Sequence, residues 1–349
     1  MSAKKFEIFS GTGGVGKTTL ATARALSLAA QEKKILLITI DPAKRLKDLL
    51  GLSDEKSGET NHVSFDHDGE ELKLDVILMN PEKTFLKIAQ ETNQHDILEN
   101  RILKILTRPY GGLNEILSVV ELQYQVNQDL YDCIILDTPP GSHFLDFLDS
   151  IERIRVFFDQ SFIDIFTYLG KKVETNTSMN FGKRMVTMVV SGGVKKLLGY
   201  LSKVTGEKFV EDFIEAVLHI YSTKDAFLGA LKLQKTLRDP QHCDWYLVTS
   251  VEQNKLDEAL ELKKNASDLF SDESFIAVNK CLNESLNNWN PAEGSQEEEL
   301  KKFLIQREDQ LKNGLQKHFK NILSFPEILS IDTHIHLIKL IQTWQKVRT

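Results

Sequence analysis

Short apolar runs alternate with amphipathic stretches along most of the chain. The runs are rich in β-branched or aromatic residues and predict strands at 4–10, 34–41, 72–79, 131–137, 244–250 and 274–279, with a weaker candidate at 321–326. Nearly continuous apolar strands are typical of a sheet whose two faces are both covered. The alternation therefore predicts an α/β fold with a doubly wound, mostly parallel sheet.

The stretches between these runs predict helices, including a helical stretch over about 82–129. The segment between the fourth and fifth predicted strands contains no clear strand. Apolar residues recur there at intervals of three and four, as on one amphipathic helix, at Phe209, Phe213, Ala216, Val217, Ile220, Leu228 and Leu231. Further helices are predicted at about 296–319 and in the tail at 334–347, which we expect to pack on the core.

The composition is that of an ordinary globular protein, with 41% hydrophobic and 27% charged residues among 349. The formal net charge of −7 argues against nucleic acid as the main partner. The polar start predicts no signal peptide, and no apolar run approaches the ~20 residues of a spanning helix. The three cysteines are scattered and form no C-x-x-C pair. We therefore expect a cytoplasmic protein without zinc and with at most peripheral membrane contact.

The segment after the first predicted strand matches a phosphate-binding loop. Residues 11–18 read GTGGVGKT, which fits G-x-x-x-x-G-K-[ST] between a predicted strand and a predicted helix. We expect Lys17 to reach the β- and γ-phosphates and Thr18 to ligate Mg²⁺. The nucleotide-binding residues predicted in this segment are Gly11, Thr12, Gly13, Gly14, Val15, Gly16, Lys17, Thr18 and Thr19.

Two aspartates each end a predicted strand, where parallel sheets bind ligands. Asp137 closes the run at 131–137, and we expect it to hold Mg²⁺ through a water molecule, while Gly141 offers its N–H to the γ-phosphate. Asp41 ends the second predicted strand, which lies beside the phosphate loop in this layout. A carboxylate at that position can orient the attacking water. Asp41 and Lys17 are therefore the predicted catalytic groups.

Three segments together, GTGGVGKTT, TIDPAKRL and LDTPPGSHFLDFL, resemble the ArsA family of deviant P-loop ATPases. This family includes arsenite-pump ATPases and tail-anchored-protein targeting ATPases, and the resemblance is strongest to its bacterial members. It implies a nucleotide-sandwiched homodimer that hydrolyses ATP with Mg²⁺. It also implies that Asp41 serves in the first switch segment and that His143 lies in the second (switch II), together with Asp137 and Gly141.

The resemblance also places the base of the nucleotide. Asn279 matches the family's adenine-contacting asparagine, and Pro326 lies in the stretch that matches the loop covering the base. The segment VNKCL is similar to the guanine-reading N-K-x-D motif, but its fourth residue is Leu282. Since no aspartate is present to pair with the N1 and N2 donors of guanine, ATP is the expected nucleotide.

These features predict one ArsA-like ATPase domain over 1–349. Its nucleotide-binding core comprises about 1–81, 130–150 and 240–349, and its helical subdomain about 82–129 and 151–239. The helical subdomain and the residues just before it are rich in phenylalanine and methionine. These residues are Phe144, Phe147, Phe157, Phe158, Phe162, Phe166, Met179, Met185 and Met188. These side chains form either the subdomain core or an adaptable groove for an apolar helix. A basic stretch at 170–203 faces phosphate head groups, an acidic partner or solvent.

The chain departs from the family at two points. Most relatives carry a signature lysine where this chain has Thr12, and that lysine supplies positive charge across the dimer. We expect Arg45, or else Lys44, to supply this charge, the alternative being that both are solvent-exposed helix residues. The cysteines match neither the metalloid site of arsenite ATPases nor the zinc pair of the targeting ATPases of eukaryotes.

Three hypotheses of function follow. The leading one is a Mg²⁺-dependent ATPase dimer whose ATP state remodels a helical surface for a client or partner protein. A second is a nucleotide-gated adaptor with vestigial turnover, and a third is a MinD- or ParA-like positioning ATPase with a membrane helix in the tail. An arsenite-pump subunit fits less well because the metalloid cysteines are missing.

Overall fold

The chain divides into two compact units in the computed structural model. The first unit comprises Met1–Met79, Gln128–Phe147 and Gln234–Thr349, and the second comprises Asn80–Asn127 and Leu148–Leu233. The structure describes residues 3–40, 46–47, 50–91, 99–108, 113–141, 143, 200, 202–267, 269–270, 273–330 and 332–347.

One sheet forms the framework of the first unit. Its strands within the described residues are β1 (Phe6–Gly11), β2 (Ile35–Thr39), β3 (Thr60–His67), β4 (Glu70–Leu78), β5 (Cys133–Asp137), β6 (Cys243–Ser250), β7 (Phe275–Cys281) and β8 (Asn321–Pro326). Their order is β3-β4-β2-β5-β1-β6-β7-β8, and all neighbours are parallel except β3 and β4. The predicted α/β fold with a mostly parallel sheet is confirmed, and each predicted run contains a strand.

Strand β3 is the strand that the apolar runs did not predict. It pairs only with β4, in antiparallel register, and its side chains alternate between buried and exposed positions. Asp68 and Gly69 connect the two strands with φ of 55° and 89°, the left-handed values that a tight two-residue hairpin turn needs. An edge strand buries one face, so it shows alternation instead of a continuous apolar run.

The helices of the described residues are α1 (Lys17–Ala29), α2 (Pro81–Glu91), α3 (Arg101–Leu106), α4 (Asn114–Gln128), α5 (Glu207–Ser222), α6 (Lys224–Leu237), α7 (Gln253–Asn265), α8 (Asn283–Asn287), α9 (Gln296–Leu315) and α10 (Thr333–Val347). Helix α9 ends four residues before the predicted 319. None of the helices described is both long and apolar enough to cross a membrane.

The C-terminal helix α10 packs on the core of the first unit, as predicted. Its Leu337, Leu340, Ile341 and Trp344 side chains are buried. The Trp344 ring stands edge-on to Tyr246, with ring centroids 5.4 Å apart, and its Nε1 donates a hydrogen bond to the Leu20 carbonyl at 3.1 Å. These four side chains are therefore covered by the chain itself, whereas Ile335 near the start of the helix is exposed.

The second unit corrects one prediction. The apolar stripe from Phe209 to Leu231 belongs to two helices, because α5 ends at Ser222 and α6 begins at Lys224, with Thr223 capping the first. The Thr223 hydroxyl and N–H both donate to the Ile220 carbonyl, at 2.8 and 3.2 Å, which closes the helix end. Phe209 and Leu228 are 41% and 37% exposed, so they do not belong to a buried stripe. The Phe- and Met-rich segment and the basic residues from Lys171 to Lys196 lie outside the described residues.

Candidate nucleotide site

The loop between β1 and α1 has a backbone that requires glycine. Gly14 and Gly16 have φ of 80° and 86°, in the left-handed region. A Cβ atom on Gly11 would clash with the Val248 carbonyl, and one on Gly16 with the side-chain amide of Asn279. The loop therefore fits closely against the ends of β6 and β7, and only glycine permits that approach.

The N-terminus of α1 is open to an anion. Gly16 precedes the helix, makes no side-chain cap, and the first turn contains no acidic residue. The first N–H groups of a helix lack partners within the helix, and its dipole favours negative charge at this end. This combination is the usual phosphate-binding arrangement of a glycine-rich loop.

Asp137 is the centre of the site's side-chain contacts. Its carboxylate is 2% exposed and accepts hydrogen bonds from the Thr18 hydroxyl at 2.7 Å and the Lys17 ammonium at 3.2 Å. Lys17 also donates to the carbonyl of Thr138. The structure therefore brings together three of the residues that the sequence predicted.

The end of β5 is joined to the strand before the loop. The Thr138 N–H and hydroxyl donate to the Phe9 carbonyl at 3.1 and 2.8 Å. The Gly141 N–H, which we expected to serve the γ-phosphate, donates to the Gly11 carbonyl at 3.0 Å. Gly141 is thus positioned next to the phosphate loop, and in this structure its N–H has a partner within the chain.

Two side chains at the end of β7 hold the outer side of the loop. Asn279 donates from Nδ2 to the Val15 carbonyl at 2.9 Å, and Lys280 donates from Nζ to the Gly14 carbonyl at 3.2 Å. Asn279, which the family resemblance assigned to adenine, is therefore in direct contact with the phosphate loop. Pro326 ends β8 beside it, in register with Cys281.

Thr12, which replaces the signature lysine, is 5% exposed. Its hydroxyl is buried and has no hydrogen-bond partner within the described part of the chain. A buried hydroxyl without a partner costs about 1–3 kcal/mol. Thr12 therefore carries a donor that nothing in the described residues uses.

The remaining predicted residues are distributed differently. Asp41, Lys44 and Arg45 lie outside the described residues, so their roles remain predictions from the sequence. His143 is described and exposed. Thr19 is buried in the first turn of α1.

The donors present fit Mg²⁺ and a nucleotide. Mg²⁺ prefers oxygen ligands and retains several waters, which suits one hydroxyl from Thr18 and a carboxylate from Asp137. Gly13 and Gly14 face open space, so a phosphate can approach their backbone closely. No group of three or more His, Cys, Asp or Glu that could form another metal site occurs among the described residues.

Sequence reasoning missed Thr39, Thr138 and Lys280. Thr39 donates from Oγ1 to the same Asp137 oxygen as Thr18, at 3.1 Å, because β2 and β5 pair in parallel with these residues in register. A polar residue closing an apolar strand was the available signal for Thr39 and Thr138. Lys280 lies in the VNKCL segment, but its contact with the loop was not predictable, because that contact depends on the end of β7 meeting the loop after β1.

A glycine-rich loop between a strand and a helix, with its lysine and threonine on the aspartate that closes a nearby parallel strand, defines a P-loop nucleotide-binding protein. The chain belongs to the anion-transporting ATPase family, whose model matches residues 4–322. The predicted resemblance to that family of ATPases is confirmed.

Curated relatives agree with this assignment. The chain is 32% identical to the putative arsenical pump-driving ATPase 2 of Aquifex aeolicus over 44% of this chain and 51% of that protein. It is 30% identical to ATPase get3 of Schizosaccharomyces pombe, over 42% of this chain and 43% of the relative. With ATPase GET3 of Kluyveromyces lactis it shares 28% identity over 64% and 67% of the two chains. The first two matches thus span about half of each relative or less.

Proposed function

We propose that this protein is a Mg²⁺-dependent ATPase that binds ATP in the loop at 11–18. The convergence of Lys17 and Thr18 on the buried Asp137 carboxylate is the observation that carries the proposal. In this arrangement a cation, a metal-binding hydroxyl and a carboxylate surround the mouth of an anion-binding loop. Family membership supports the same chemistry.

Different residues of the chain have different roles in phosphoryl transfer. Lys17 binds the β- and γ-phosphates and neutralises charge that develops on them. Thr18 and Asp137 hold Mg²⁺, which when bound screens the phosphate charge. Asp41 orients the attacking water and accepts its proton. The Gly141 N–H leaves the Gly11 carbonyl to contact the γ-phosphate.

We further propose that two copies sandwich the nucleotide and that the ATP state remodels a helical surface for a client or partner protein. The family resemblance supports the dimer, and the second unit, built of α2 to α6 in its described part, supplies a helical surface. An arsenical ligand has less support, because the three cysteines are buried.

A steady-state phosphate-release assay on the wild type and Asp41→Asn tests the catalytic proposal. We expect the wild type to release phosphate in a Mg²⁺-dependent manner and Asp41→Asn to bind ATP without turnover. Sedimentation of Asp41→Asn with and without ATP then tests the dimer. A wild type that does not bind ATP would overturn the proposal.

The nucleotide-gated adaptor is the second candidate, and the buried Thr12 in place of a lysine favours it. Without the trans charge, bound ATP would fix one conformation and hydrolysis would be vestigial. Equal, near-background rates for the wild type and Asp41→Asn, with tight ATP binding in both, would support the adaptor. The membrane-positioning hypothesis receives little support from α10, because its Leu337, Leu340, Ile341 and Trp344 side chains are buried in the first unit. Liposome flotation with and without ATP tests this hypothesis.

A further inference from the structure

The end of β7 and the residues after it, 279–283, form a clamp segment with contacts on two sides. On one side, Lys280 and Asn279 donate to the carbonyls of Gly14 and Val15, two consecutive residues of the phosphate loop. Both contacts run from a side chain to a backbone carbonyl. The clamp segment therefore contacts the carbonyl groups of two consecutive loop residues.

The other side of the clamp segment is fixed by a buried carboxylate on α9. Glu308 is 2% exposed, and its Oε2 accepts from the N–H groups of Leu282 and Asn283 at 2.6 and 3.2 Å. Its Oε1 accepts from Lys312 at 2.6 Å. Burial alone would lower the pKa of Lys312, but its hydrogen bond to Glu308 holds that pKa above the ordinary value. Glu308 is thus a buried anchor whose two carboxylate oxygens both accept hydrogen bonds.

Lys280 has a backbone conformation that ordinary residues avoid. Its φ is 58°, in the left-handed region, which is uncommon for a residue other than glycine, asparagine or aspartate. Such a conformation persists only where the surroundings determine it. The surroundings here are the Glu308 carboxylate, the β7–β8 register shift, and the Glu327 N–H, which donates to the Cys281 carbonyl at 2.8 Å.

The planarity of the peptide group converts these contacts into a constraint on phosphate binding. In a planar trans peptide the carbonyl of one residue and the N–H of the next point in opposite directions. If the Gly14 and Val15 carbonyls are held toward the clamp segment, the N–H groups of Val15 and Gly16 point away from it. Gly14 and Gly16 are free to adopt either sign of φ, so without the clamp these peptide groups can rotate.

We propose that Lys280 and Glu308 are positioning residues that pre-organise the phosphate loop: Lys280 fixes a loop carbonyl directly, and Glu308 fixes the segment that carries Lys280. The inference rests on the proposed ATP site, because it assigns the pre-organised N–H groups to phosphate. Neither residue touches the nucleotide in this role. Their contribution is to reduce the ordering that the loop undergoes when phosphate binds.

The test uses Lys280→Met, which keeps the aliphatic stem and removes the donor, and Glu308→Gln, which keeps the size and removes the charge. Lys301→Met is the matched control, since Lys301 also donates to a backbone carbonyl, that of Trp289, at 2.6 Å. We expect Lys280→Met to weaken ATP and ADP binding by about fivefold each, the effect of losing one hydrogen bond. Lys280→Arg should restore binding.

Hydrogen exchange in the nucleotide-free protein gives a readout that needs no ATP. We expect the peptide containing 12–18 to exchange faster in Lys280→Met and Glu308→Gln than in the wild type and Lys301→Met. Thermal stability of Lys280→Met should remain that of the wild type, because the lost contact is on the surface. If Glu308→Gln does not fold, the hydrogen exchange of Lys280→Met alone tests the clamp.

The outcomes separate this inference from the proposed function. The clamp would be overturned if Lys280→Met showed the hydrogen exchange and the ATP affinity of the wild type. Loss of ATP binding in Lys17→Ala would at the same time support the ATP site. A larger, salt-dependent loss for ATP than for ADP with unchanged exchange would also overturn the clamp, since Lys280 would then act only as a charge. A wild type that does not bind ATP would overturn the ATP site. The hydrogen-exchange comparison of the nucleotide-free proteins would still test the clamp.

Discussion

The hydroxyl of Thr18 lies 2.7 Å from Oδ2 of Asp137, and the same oxygen accepts a hydrogen bond from Thr39 at 3.1 Å. Thr18 is in the first turn of α1, whereas Thr39 closes β2, so the carboxylate is held from two directions. The Thr18 hydroxyl is the one that a metal would take, and Thr39 keeps the carboxylate oriented when it does. The two threonines therefore differ in role although they share one acceptor.

Substitution of these threonines should separate metal binding from orientation. We expect Thr18→Ala to raise the Mg²⁺ concentration needed for half-maximal turnover by more than tenfold. Thr39→Val should raise it by about tenfold, the usual effect of losing a residue that orients a metal ligand by a hydrogen bond. Thr22→Ala is the control, because the Thr22 hydroxyl donates within α1 to the Thr18 carbonyl at 2.8 Å. Mg²⁺ titrations of phosphate release measure the effect; equal curves for all three variants would contradict the metal site.

Loss of the loop lysine should weaken nucleotide binding strongly and lower the stability of the fold. Lys17 is buried and its ammonium lies 3.2 Å from the Asp137 carboxylate, so Lys17→Ala removes that ion pair. We expect ATP binding to weaken by about a hundredfold and the free energy of unfolding to fall by about 2 kcal/mol. Calorimetry and urea unfolding measure the two quantities. The double variant Lys17→Ala/Asp137→Asn should recover stability without recovering binding.

The trans-charge hypothesis predicts a specific order of turnover rates. If Arg45 supplies the charge that Thr12 lacks, Arg45→Ala should lower turnover by about a thousandfold, as for other arginines that act on phosphoryl groups. Lys44→Ala should have a smaller effect. The comparison includes Thr12→Lys and ATP-dependent dimerisation. If neither alanine variant slows turnover while Thr12→Lys accelerates it, no substitute cation exists and Thr12 itself makes the enzyme slow.

Replacing one partner of a buried ion pair in the first unit should lower the free energy of unfolding more than replacing both. Arg24 donates to both carboxylate oxygens of Glu7, at 2.7 and 2.8 Å, and its Cζ lies 5.2 Å from the Trp344 ring centroid. We expect Glu7→Gln to cost about 3–5 kcal/mol in the free energy of unfolding, because it leaves a buried charge unpaired. Glu7→Leu/Arg24→Met should cost less. Urea unfolding measures these costs, and Lys302→Ala, which removes the partner of Glu298 in an exposed ion pair, is the control. A double variant less stable than Glu7→Gln would contradict the prediction.

The cysteines should be unreactive in the folded protein. Burial raises the pKa of the Cys281 thiol to about 11 and the pKa values of Cys133 and Cys243 well above the ordinary value. Since the thiolate is the reactive form, we expect no alkylation by iodoacetamide at pH 8 in the native state and three modified cysteines after unfolding. Mass spectrometry counts the products. Rapid native labelling would show that a thiol is accessible and would reopen the question of an arsenical ligand.

The sequence by itself determined the chemistry that depends on contiguous residues. The glycine spacing, Lys17 and Thr18 predict the phosphate loop because consecutive residues build it, and Asp137 was identifiable because it ends an apolar run. The apolar runs also predicted the parallel sheet, since strands buried on both faces are marked along their whole length. The antiparallel edge strand β3 escaped because only one of its faces is buried.

Only the tertiary structure decided which distant residues meet at the loop. Thr39 reaches Asp137 because β2 and β5 are neighbours in register, and Lys280 reaches Gly14 across 266 positions of sequence. Likewise, Glu308 of α9 accepts from the N–H groups of Leu282 and Asn283, just beyond Lys280, although α9 begins only at Gln296. Hydrophobic periodicity reports which face of an element is buried, but it carries no information on strand order. Strand order brings these partners together, and for that reason the clamp segment is visible only in the folded chain.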